Sequence, residues 1–303
     1  MTNTDAPNRL ALQAAIAALP ALTGLEPGAT LSARNNRLVL RGSLDGQHVV
    51  IKIGAGRFQA ARAERQNAAL GLLYPRMHGG PCRVPRPVAC HPDHGLGITS
   101  WVPGLALDPA LLHGPARADM VKRIGAWFAT ACHDRRTGAG IATRHWVKRL
   151  TVLRNRVAAD ATTRLADSVL ARMQALARGC GGIPATRAFT QGDFRLRNLL
   201  VDGPAAQVIW GIDFDEWEDR PVARDMACML LDLAQRAPAG SDWWGVSYAD
   251  MQALSAGGAI PLAEAEHLVP FFLLVETVQA LLRFAGTGAV PPMLATRAET
   301  MAG

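Results

Sequence analysis

The side chains best suited to chemistry lie in two short runs near residue 200. Asp193 and Asn198 stand five positions apart in the first run, and Asp213 lies in the second. Between them, residues 198–201 and 207–212 are β-rich and flank a turn-like Asp-Gly-Pro, a pattern that predicts an antiparallel hairpin. The hairpin would return Asp213 beside Asn198, so that their oxygen atoms converge as Mg²⁺ requires. Phosphoryl transfer needs such ligands and a separate carboxylate that orients the attacking hydroxyl and accepts its proton.

A lysine within an apolar strand is the second candidate. Lys52 is the charged residue of the run Val-Val-Ile-Lys-Ile at residues 49–53. A lysine in such surroundings needs a carboxylate partner to keep its charge and its orientation. Glu64, twelve residues further along in a predicted helix, is the candidate partner. Taken alone, the run also fits an ordinary edge strand.

The elements that must position these residues divide the chain into a β-rich part and a helical part. Residues 38–40 and 49–53 flank an Asp-Gly pair and predict a second hairpin, and residues 97–102 predict a strand before a Pro-Gly turn. We therefore predict an N-terminal lobe over residues 1–102 and a mainly helical C-terminal lobe over residues 103–303. Apolar periodicity predicts helices over residues 57–73, 118–133, 147–177, 223–236, 262–272 and 274–285. Pro75 is expected to end the first of these helices.

The order of these features resembles the aminoglycoside phosphotransferase and choline kinase family, a group of protein-kinase-like enzymes. Residues 191–198 match its His-x-Asp-x-x-x-x-Asn loop, with Gln191 in place of the histidine, and residues 212–216 match its Ile-Asp-Trp/Phe-acid run. The resemblance implies a bilobal α+β fold of the protein-kinase type. It also implies that Asp193 is the catalytic base and that Asn198 and Asp213 bind Mg²⁺. Gln191 is expected to support the loop rather than perform chemistry.

The resemblance implies further roles. Lys52 would contact the phosphates of ATP and pair with Glu64, and Asp225 would be a buried residue that holds the catalytic loop. Asp215 is either a second metal ligand or substrate contact, or a solvated loop residue. Arg195 either steadies the charge of the transferred phosphoryl group or is a surface arginine.

The nucleotide-binding loops are less clearly marked. Residues 31–38 take the place of the phosphate loop but contain no Gly-x-Gly-x-x-Gly. Three polar residues of this segment could donate hydrogen bonds to phosphate: Ser32, Asn35 and Asn36. The segment around Ser100 and Val102 resembles the family's hinge, whose backbone groups bond adenine, although a plain strand-to-turn segment fits it equally well.

Length and composition exclude several classes of protein. A chain of 303 residues exceeds the usual size of one hydrophobic core, so two lobes are expected. Hydrophobic residues at 49% and charged residues at 19% exclude an intrinsically disordered chain. We expect no membrane span, because no apolar stretch reaches the roughly 20 residues that one needs. The five scattered cysteines lack any Cys-x-x-Cys pair and predict reduced thiols in a cytoplasmic protein.

The net charge of +7 is distributed unevenly. Residues 1–225 carry +11 and residues 226–303 carry −4, which predicts different ligands at the two ends and no nucleic-acid partner. In the resembled family the acceptor lies against the C-terminal helices, and here these contain an aromatic trio, Trp243, Trp244 and Tyr248. Carboxylates with aromatic faces favour a cationic acceptor such as an aminoglycoside, a choline-like amine or an amino sugar. Neutral sugars and amino-acid alcohols are the alternatives, since paired tryptophans also serve as core residues.

Together these patterns predict an ATP- and Mg²⁺-dependent kinase that phosphorylates a hydroxyl group of a small molecule. The chain lacks a Walker-type Gly-x-x-x-x-Gly-Lys-Ser/Thr, which disfavours a P-loop enzyme. It also lacks Asp-Phe-Gly and Ala-Pro-Glu, which disfavours a protein kinase. A catalytically silent nucleotide-binding module is the other alternative.

Overall fold

The computed structural model describes residues 6–34, 37–107, 109–202, 207–285 and 290–302. Contacts group the chain into two compact units. Unit 1 comprises Met1–Ala106, Gln191–Asp193 and Asn198–Glu218, and unit 2 comprises Leu107–Thr190, Phe194–Arg197 and Asp219–Gly303. The two runs of candidate site residues, 191–198 and 212–216, therefore belong largely to unit 1. The lobe boundary after residue 102 stays a prediction.

The described part of unit 1 contains two sheets and two α-helices. The strands of the larger sheet are β1 (Leu25–Arg34), β2 (Arg37–Leu44), β3 (Gln47–Gly54), β5 (Pro87–His91) and β6 (Leu96–Ser100). They pair antiparallel in the order β1-β2-β3-β6-β5. The strands of the smaller sheet, in the order β4-β11-β10-β7, are β4 (Cys82–Arg83), β7 (Leu105–Ala106), β10 (Leu199–Asp202) and β11 (Val208–Gly211). The helices are α1 (Ala6–Ala18) and α2 (Arg57–Met77).

The hairpin of β2 and β3 presents the candidate lysine. Leu44 pairs with Gln47 across the turn, and both turn residues have positive φ, 50° at Asp45 and 76° at Gly46. This is the backbone that a two-residue hairpin loop needs, and the Asp-Gly pair supplies it at low cost. Ile51 and Ile53 are buried in the core. Because side chains alternate along a strand, Lys52 projects from the opposite face.

Helix α2 begins at Arg57, as predicted, but extends beyond its predicted end. Its apolar stripe does not include Phe58, which is 71% exposed in the first turn. Pro75 lies inside the helix, which continues to Met77. A proline costs a helix one hydrogen bond, and burial of Leu73 and Met77 in the same last turns offsets that cost.

Unit 2 is mainly helical, with one three-stranded sheet. Its helices are α3 (Ala116–Ala131), α4 (Thr143–Arg154), α5 (Ala161–Cys180), α6 (Val222–Arg236), α7 (Tyr248–Ala256), α8 (Leu262–Phe284) and α9 (Pro292–Ala302). Its sheet, in the order β12-β9-β8, consists of β8 (His133–Gly140), β9 (Pro184–Thr190) and β12 (Glu218–Pro221).

Two helix predictions in unit 2 were wrong in their continuity. Residues 147–177 do not form one helix, because α4 ends at Arg154 and α5 begins after Asp160. Asp160 and Thr163 form a reciprocal capping box that starts α5. Residues 262–272 and 274–285, conversely, belong to the single helix α8, which continues through Pro270.

Helix α8 is the one described helix long and apolar enough to cross a membrane by length and composition. Within its most apolar window, 72% of the residues are buried inside the protein. The helix contributes Phe271, Phe272 and Leu274 to the core, all without exposed surface. Its apolar character is thus explained by packing in the centre of unit 2.

Candidate active site

The hairpin between the two acidic runs forms as predicted. Strands β10 and β11 pair antiparallel, and the Ile212 N–H donates to the Asn198 carbonyl at 2.9 Å. Asn198, 4% exposed, directs its amide nitrogen to the Asp193 carbonyl at 2.7 Å and to Asp193 Oδ2 at 3.1 Å. The loop and the returning strand therefore bring Asp193, Asn198 and the segment containing Asp213 together. Residues 203–206 of the predicted turn lie outside the described residues.

The buried side chain of Gln191 connects the loop to the returning strand. Its side chain is completely buried, and Nε2 donates a hydrogen bond to the Ile212 carbonyl. Gln191 precedes Asp193 by two residues, and Ile212 precedes Asp213 by one. One side chain therefore ties the start of the catalytic loop to the strand end that carries Asp213.

The middle of the loop, Phe194–Arg197, is anchored within unit 2. Phe194 stacks on Phe128 with ring centroids 4.2 Å apart. The Leu196 N–H donates to Asp232 Oδ2 at 2.9 Å, and Asp232, 2% exposed, also pairs with Arg236 at 3.0 Å. The sequence analysis missed this anchoring role of Asp232, although an acid within the apolar run Met-Leu-Leu-Asp-Leu of α6 was its available signal.

A four-residue charge cluster lies at the end of strand β11. It consists of Arg37, Lys52, Asp213 and Asp215. Lys52 Nζ is 2.8 Å from Asp213 Oδ1 and 3.2 Å from Asp215 Oδ1. Arg37 Nη2 is 3.3 Å from Asp213 Oδ2, and Arg37 Nη1 donates a short hydrogen bond to Asp215 Oδ2. The two carboxylates are thus each shared between two cations.

The environments of the two carboxylates push their pKa values apart. Burial raises the pKa of Asp213, but the charges of Lys52 and Arg37 outweigh burial and hold that pKa well below its ordinary range. At Asp215 burial prevails: despite Lys52, burial and the negative charge of Asp213 raise the pKa. The pKa of Asp213 thus lies below the ordinary aspartate value, and the pKa of Asp215 lies above it.

The predicted Lys52–Glu64 pair is not formed. Lys52 Nζ instead donates a short hydrogen bond to Gln66 Oε1, and Glu64 lies on the exposed side of α2. Positions two apart on a helix project in nearly opposite directions. Gln66 therefore faces strand β3 with Ala63, while Glu64 points away.

Other predicted site residues lie as follows. Asp225 is fully buried on α6, and its role in holding the loop stays a prediction. Arg195 is half-buried in unit 2, where its charge acts on the Cys228 thiol, so its phosphoryl contact also stays a prediction. Ser32 is half-buried in β1, and Asn35 and Asn36 lie outside the described residues.

The proposed hinge is already partly used by the protein itself. The Ser100 N–H donates to the Arg86 carbonyl at 2.9 Å, and Ser100 Oγ accepts from the Arg86 N–H at 2.9 Å. The Ser100 amide is therefore engaged within the sheet. Val102, 6% exposed, follows the end of β6, and its adenine contact stays a prediction.

The donor set fits a magnesium ion. The Asn198 amide nitrogen is committed to Asp193, so its oxygen is the atom left to face a cation. Asp213 adds an ionised oxygen ligand, and Asp215 a further carboxylate. Mg²⁺ typically takes one or two carboxylates and completes its shell with water and substrate phosphates. Consistent with such a sparse set, the described residues contain no cluster of three or more His, Cys, Asp or Glu side chains suited to hold a metal.

Most acidic residues that follow Asp225 are used inside unit 2. Six of the seven accept hydrogen bonds there: Asp232, Asp242, Asp250, Glu264, Glu266 and Glu276. Asp250, for example, is buried and forms a two-bond pair with Arg117 at 2.6 and 2.8 Å. The Arg172 guanidinium lies over the Trp244 ring, 5.0 Å from the centroid of that ring. The summed charge of residues 226–303 therefore does not measure a free acidic surface.

Comparisons with known proteins show the family and the fold. The sequence model described as the phosphotransferase enzyme family matches residues 30–260. The chain therefore belongs to the phosphotransferase enzyme family, as its loop and hairpin motifs predicted. The comparison with curated proteins found no match.

Solved structures share the fold at low sequence identity. Aminoglycoside phosphotransferase APH(4)-Ia has a TM-score of 0.63 at 14% identity, over 97% of this chain and 98% of the other. A putative aminoglycoside phosphotransferase from Ralstonia eutropha has 0.61 at 16% identity, over 97% and 95%. A choline/ethanolamine kinase family protein from Mesorhizobium loti has 0.58 at 17% identity, over 96% and 93%. The predicted α+β, protein-kinase-like fold class is confirmed.

Proposed function

We propose that the protein transfers the γ-phosphoryl group of ATP to a hydroxyl group of a small molecule, with Mg²⁺ as cofactor. The observation that carries the proposal is the hairpin β10–β11, which joins an Asp193–Asn198 pair to an Asp213–Lys52 pair. One pair offers a carboxylate beside an amide, and the other offers a carboxylate beside a cation. Phosphoryl transfer uses both, because it depends on positioning and on neutralising phosphate charge.

Asp193 is the proposed catalytic base. Its Oδ2 accepts a hydrogen bond from Asn198 at 3.1 Å, which fixes the orientation of the carboxylate. A base acts by lying within hydrogen-bond reach of the acceptor hydroxyl and removing its proton as the new bond forms. The bracing of the loop by Gln191 serves that purpose, since a small misplacement of the base costs rate.

Asn198 and Asp213, with Asp215 beside them, are the proposed metal ligands. When bound, Mg²⁺ would neutralise negative charge on the nucleotide phosphates. Lys52, held by Gln66, is the proposed phosphate contact. Solved relatives include APH(4)-Ia in a ternary complex with AMP-PNP and hygromycin B, and an amicoumacin kinase with AMP-PNP and Ca²⁺. These complexes support nucleotide and divalent metal use by this chain.

The rival functions have less support. A protein kinase would require an activation segment, and the run after β11 reads Ile-Asp-Phe-Asp-Glu without Asp-Phe-Gly. A catalytically silent module would not need Asp193 oriented by Asn198 in addition to the Lys52 contacts. We further propose a cytoplasmic enzyme, consistent with five free cysteines.

The acceptor is proposed to be a small alcohol, with amino alcohols and amino sugars ahead of neutral sugars. The aromatic cluster of Trp243 and Tyr248, with centroids 5.8 Å apart, supports a cationic group. The internal use of the neighbouring carboxylates reduces the electrostatic part of that argument.

The test is a panel of alcohols assayed by ADP release with magnesium and with EDTA. The panel includes an aminoglycoside, a quaternary amino alcohol, a neutral sugar, an acidic sugar and a generic protein substrate, each at low and high salt. We expect magnesium-dependent ADP release with one small-alcohol class. ADP release with the protein substrate alone would overturn the proposal. It would also be overturned if no compound of the panel caused ADP release.

A further inference from the structure

The charge cluster has a formal charge of zero, which bears on how a divalent cation enters. Asp213 and Asp215 contribute two negative charges, and Arg37 and Lys52 contribute two positive charges. Adding Mg²⁺ to this group without moving any member would place three cationic centres around two carboxylates. In a partly buried site such repulsion is costly. One of the two side-chain cations must therefore withdraw from the carboxylates.

Arg37 is the cation that can leave. Lys52 has a third anchor, because Nζ also bonds Gln66 on α2. Arg37, among the described residues, donates only to the two carboxylates. The Arg37 side chain is also more exposed than that of Lys52, 25% against 17%. Arg37 is the first residue of β2, so its guanidinium can move without disturbing the centre of the sheet.

The position of Arg37 suggests where the guanidinium goes. Arg37 belongs to the segment of residues 31–38 that takes the place of the phosphate loop, and it lines a cleft with Lys52, Gln66 and Arg62. A guanidinium binds phosphate oxygens with two parallel hydrogen bonds. That bonding would replace the contacts that Arg37 makes with Asp213 and Asp215.

We propose that Arg37 guards the metal ligands of the nucleotide-free protein and transfers to the nucleotide phosphates when the metal enters. Arg37 thus competes with the divalent cation and cooperates with the nucleotide. The inference rests on the proposed function, and it adds a positioning residue that the phosphate-loop pattern did not reveal.

The experiment measures two affinities that should change in opposite directions. Mn²⁺ alone is titrated by the paramagnetic resonance signal of the free ion, and Mg²⁺-ADP by calorimetry. Arg37→Gln should bind Mn²⁺ alone about 10-fold more tightly and Mg²⁺-ADP about 10-fold more weakly, each about the value of one charge-assisted contact. Arg76→Gln is the matched control, since it removes the same charge from an exposed position in the last turn of α2. We expect both of its affinities to stay within about 2-fold of the parent.

Three results would overturn the inference: an unchanged or weaker Mn²⁺ affinity in Arg37→Gln, changes of both affinities in the same direction, or no Mn²⁺ binding by any variant. If Arg37→Gln does not fold, Arg37→Lys keeps the charge without the two-bond geometry, and its Mn²⁺ affinity should rise less than about 3-fold while Mg²⁺-ADP weakens. A larger rise, or unchanged Mg²⁺-ADP binding, contradicts the inference.

Asp213→Ala separates the two proposals. If it abolishes Mn²⁺ binding while Arg37→Gln changes nothing, the metal site stands and the role of Arg37 falls.

Discussion

Asp213 combines a strained backbone conformation with strong electrostatic interactions. Its φ of 64° is in the left-handed region, which aspartate adopts at a smaller cost than most residues. That conformation ends strand β11 and turns the carboxylate toward Lys52 and Arg37. The attraction of those cations keeps the pKa low although burial raises it. A neutral replacement at Asp213 would leave Lys52 and Arg37 to share Asp215.

We predict that Asp213→Ala weakens Mg²⁺-ATP binding about 10-fold or more, because the neutral Asn198 cannot replace a carboxylate's charge. Calorimetry with and without magnesium measures the effect. Asp202→Ala, at the far end of the same hairpin, is the control and should bind like the parent. Equal Mg²⁺-ATP affinity in Asp213→Ala and the parent would contradict the assignment of the metal ligand.

A second prediction separates the two candidate partners of Lys52. Gln66→Ala should raise the KM for ATP or lower kcat about 3- to 10-fold, since it removes the hydrogen bond that aims the lysine. Glu64→Ala should resemble the parent, because Glu64 is exposed and has no part in the cluster. Steady-state kinetics with varied ATP measure both. Equal impairment in the two variants would restore Glu64 as the partner.

At this scale the sequence predicts residues fixed by local spacing and misses those fixed by tertiary geometry. The positions of Asp193, Asn198 and Asp213 follow from a loop and a hairpin, both of which are short-range features. The choice of Gln66 over Glu64 depends on the rotation of α2 against β3. Arg37 was missed because its function depends on carboxylates more than 170 positions away.

At the scale of elements, helix α6 anchors the segment Phe194–Arg197 within unit 2. Asp232 receives the Leu196 N–H and the Arg236 guanidinium, so both carboxylate oxygens are used. Because the Leu196 N–H is buried, removing its acceptor leaves a donor without a partner. An unpaired buried donor costs more than an average hydrogen bond contributes.

We predict that Asp232→Ala lowers the free energy of unfolding by about 2 to 4 kcal/mol and reduces kcat. Urea unfolding gives the stability and the alcohol assay gives kcat. Glu299→Ala, an exposed acid on α9 with the same change of charge, should stay within about 0.5 kcal/mol of the parent. If the two variants are equally stable, Asp232 does not anchor the loop.

The helices show which elements short-range patterns can define. The pattern places both ends of α3 and α6 within two residues. It joins α4 to α5, since the stop at Arg154 and the capping box at Asp160 lie within a run of helix-forming residues. It divides α8 at a proline, whereas burial of the surrounding residues keeps that helix continuous.

At the scale of the whole molecule, fold class and charge behave differently as guides. The order of strands, lysine, loop and hairpin was sufficient to predict the kinase-like fold. The charge difference between residues 1–225 and 226–303 was a weaker guide to the acceptor, because most C-terminal carboxylates have internal partners. Asp250 with Arg117 and Glu276 with Arg224 are examples of charges that stabilise unit 2. The chemistry of the surface therefore cannot be inferred from the summed charge of residues 226–303.

The most direct test of the account is the turnover of Asp193→Asn with the best alcohol from the panel, beside its affinity for Mg²⁺-ATP. The substitution keeps the shape of the side chain and removes the base. We predict that kcat falls about 10²- to 10⁴-fold while the Mg²⁺-ATP dissociation constant stays within about 3-fold of the parent value. Asp202→Asn, on the same hairpin, should turn over like the parent. Unchanged kcat in Asp193→Asn would contradict the assignment of Asp193 as the base in phosphoryl transfer.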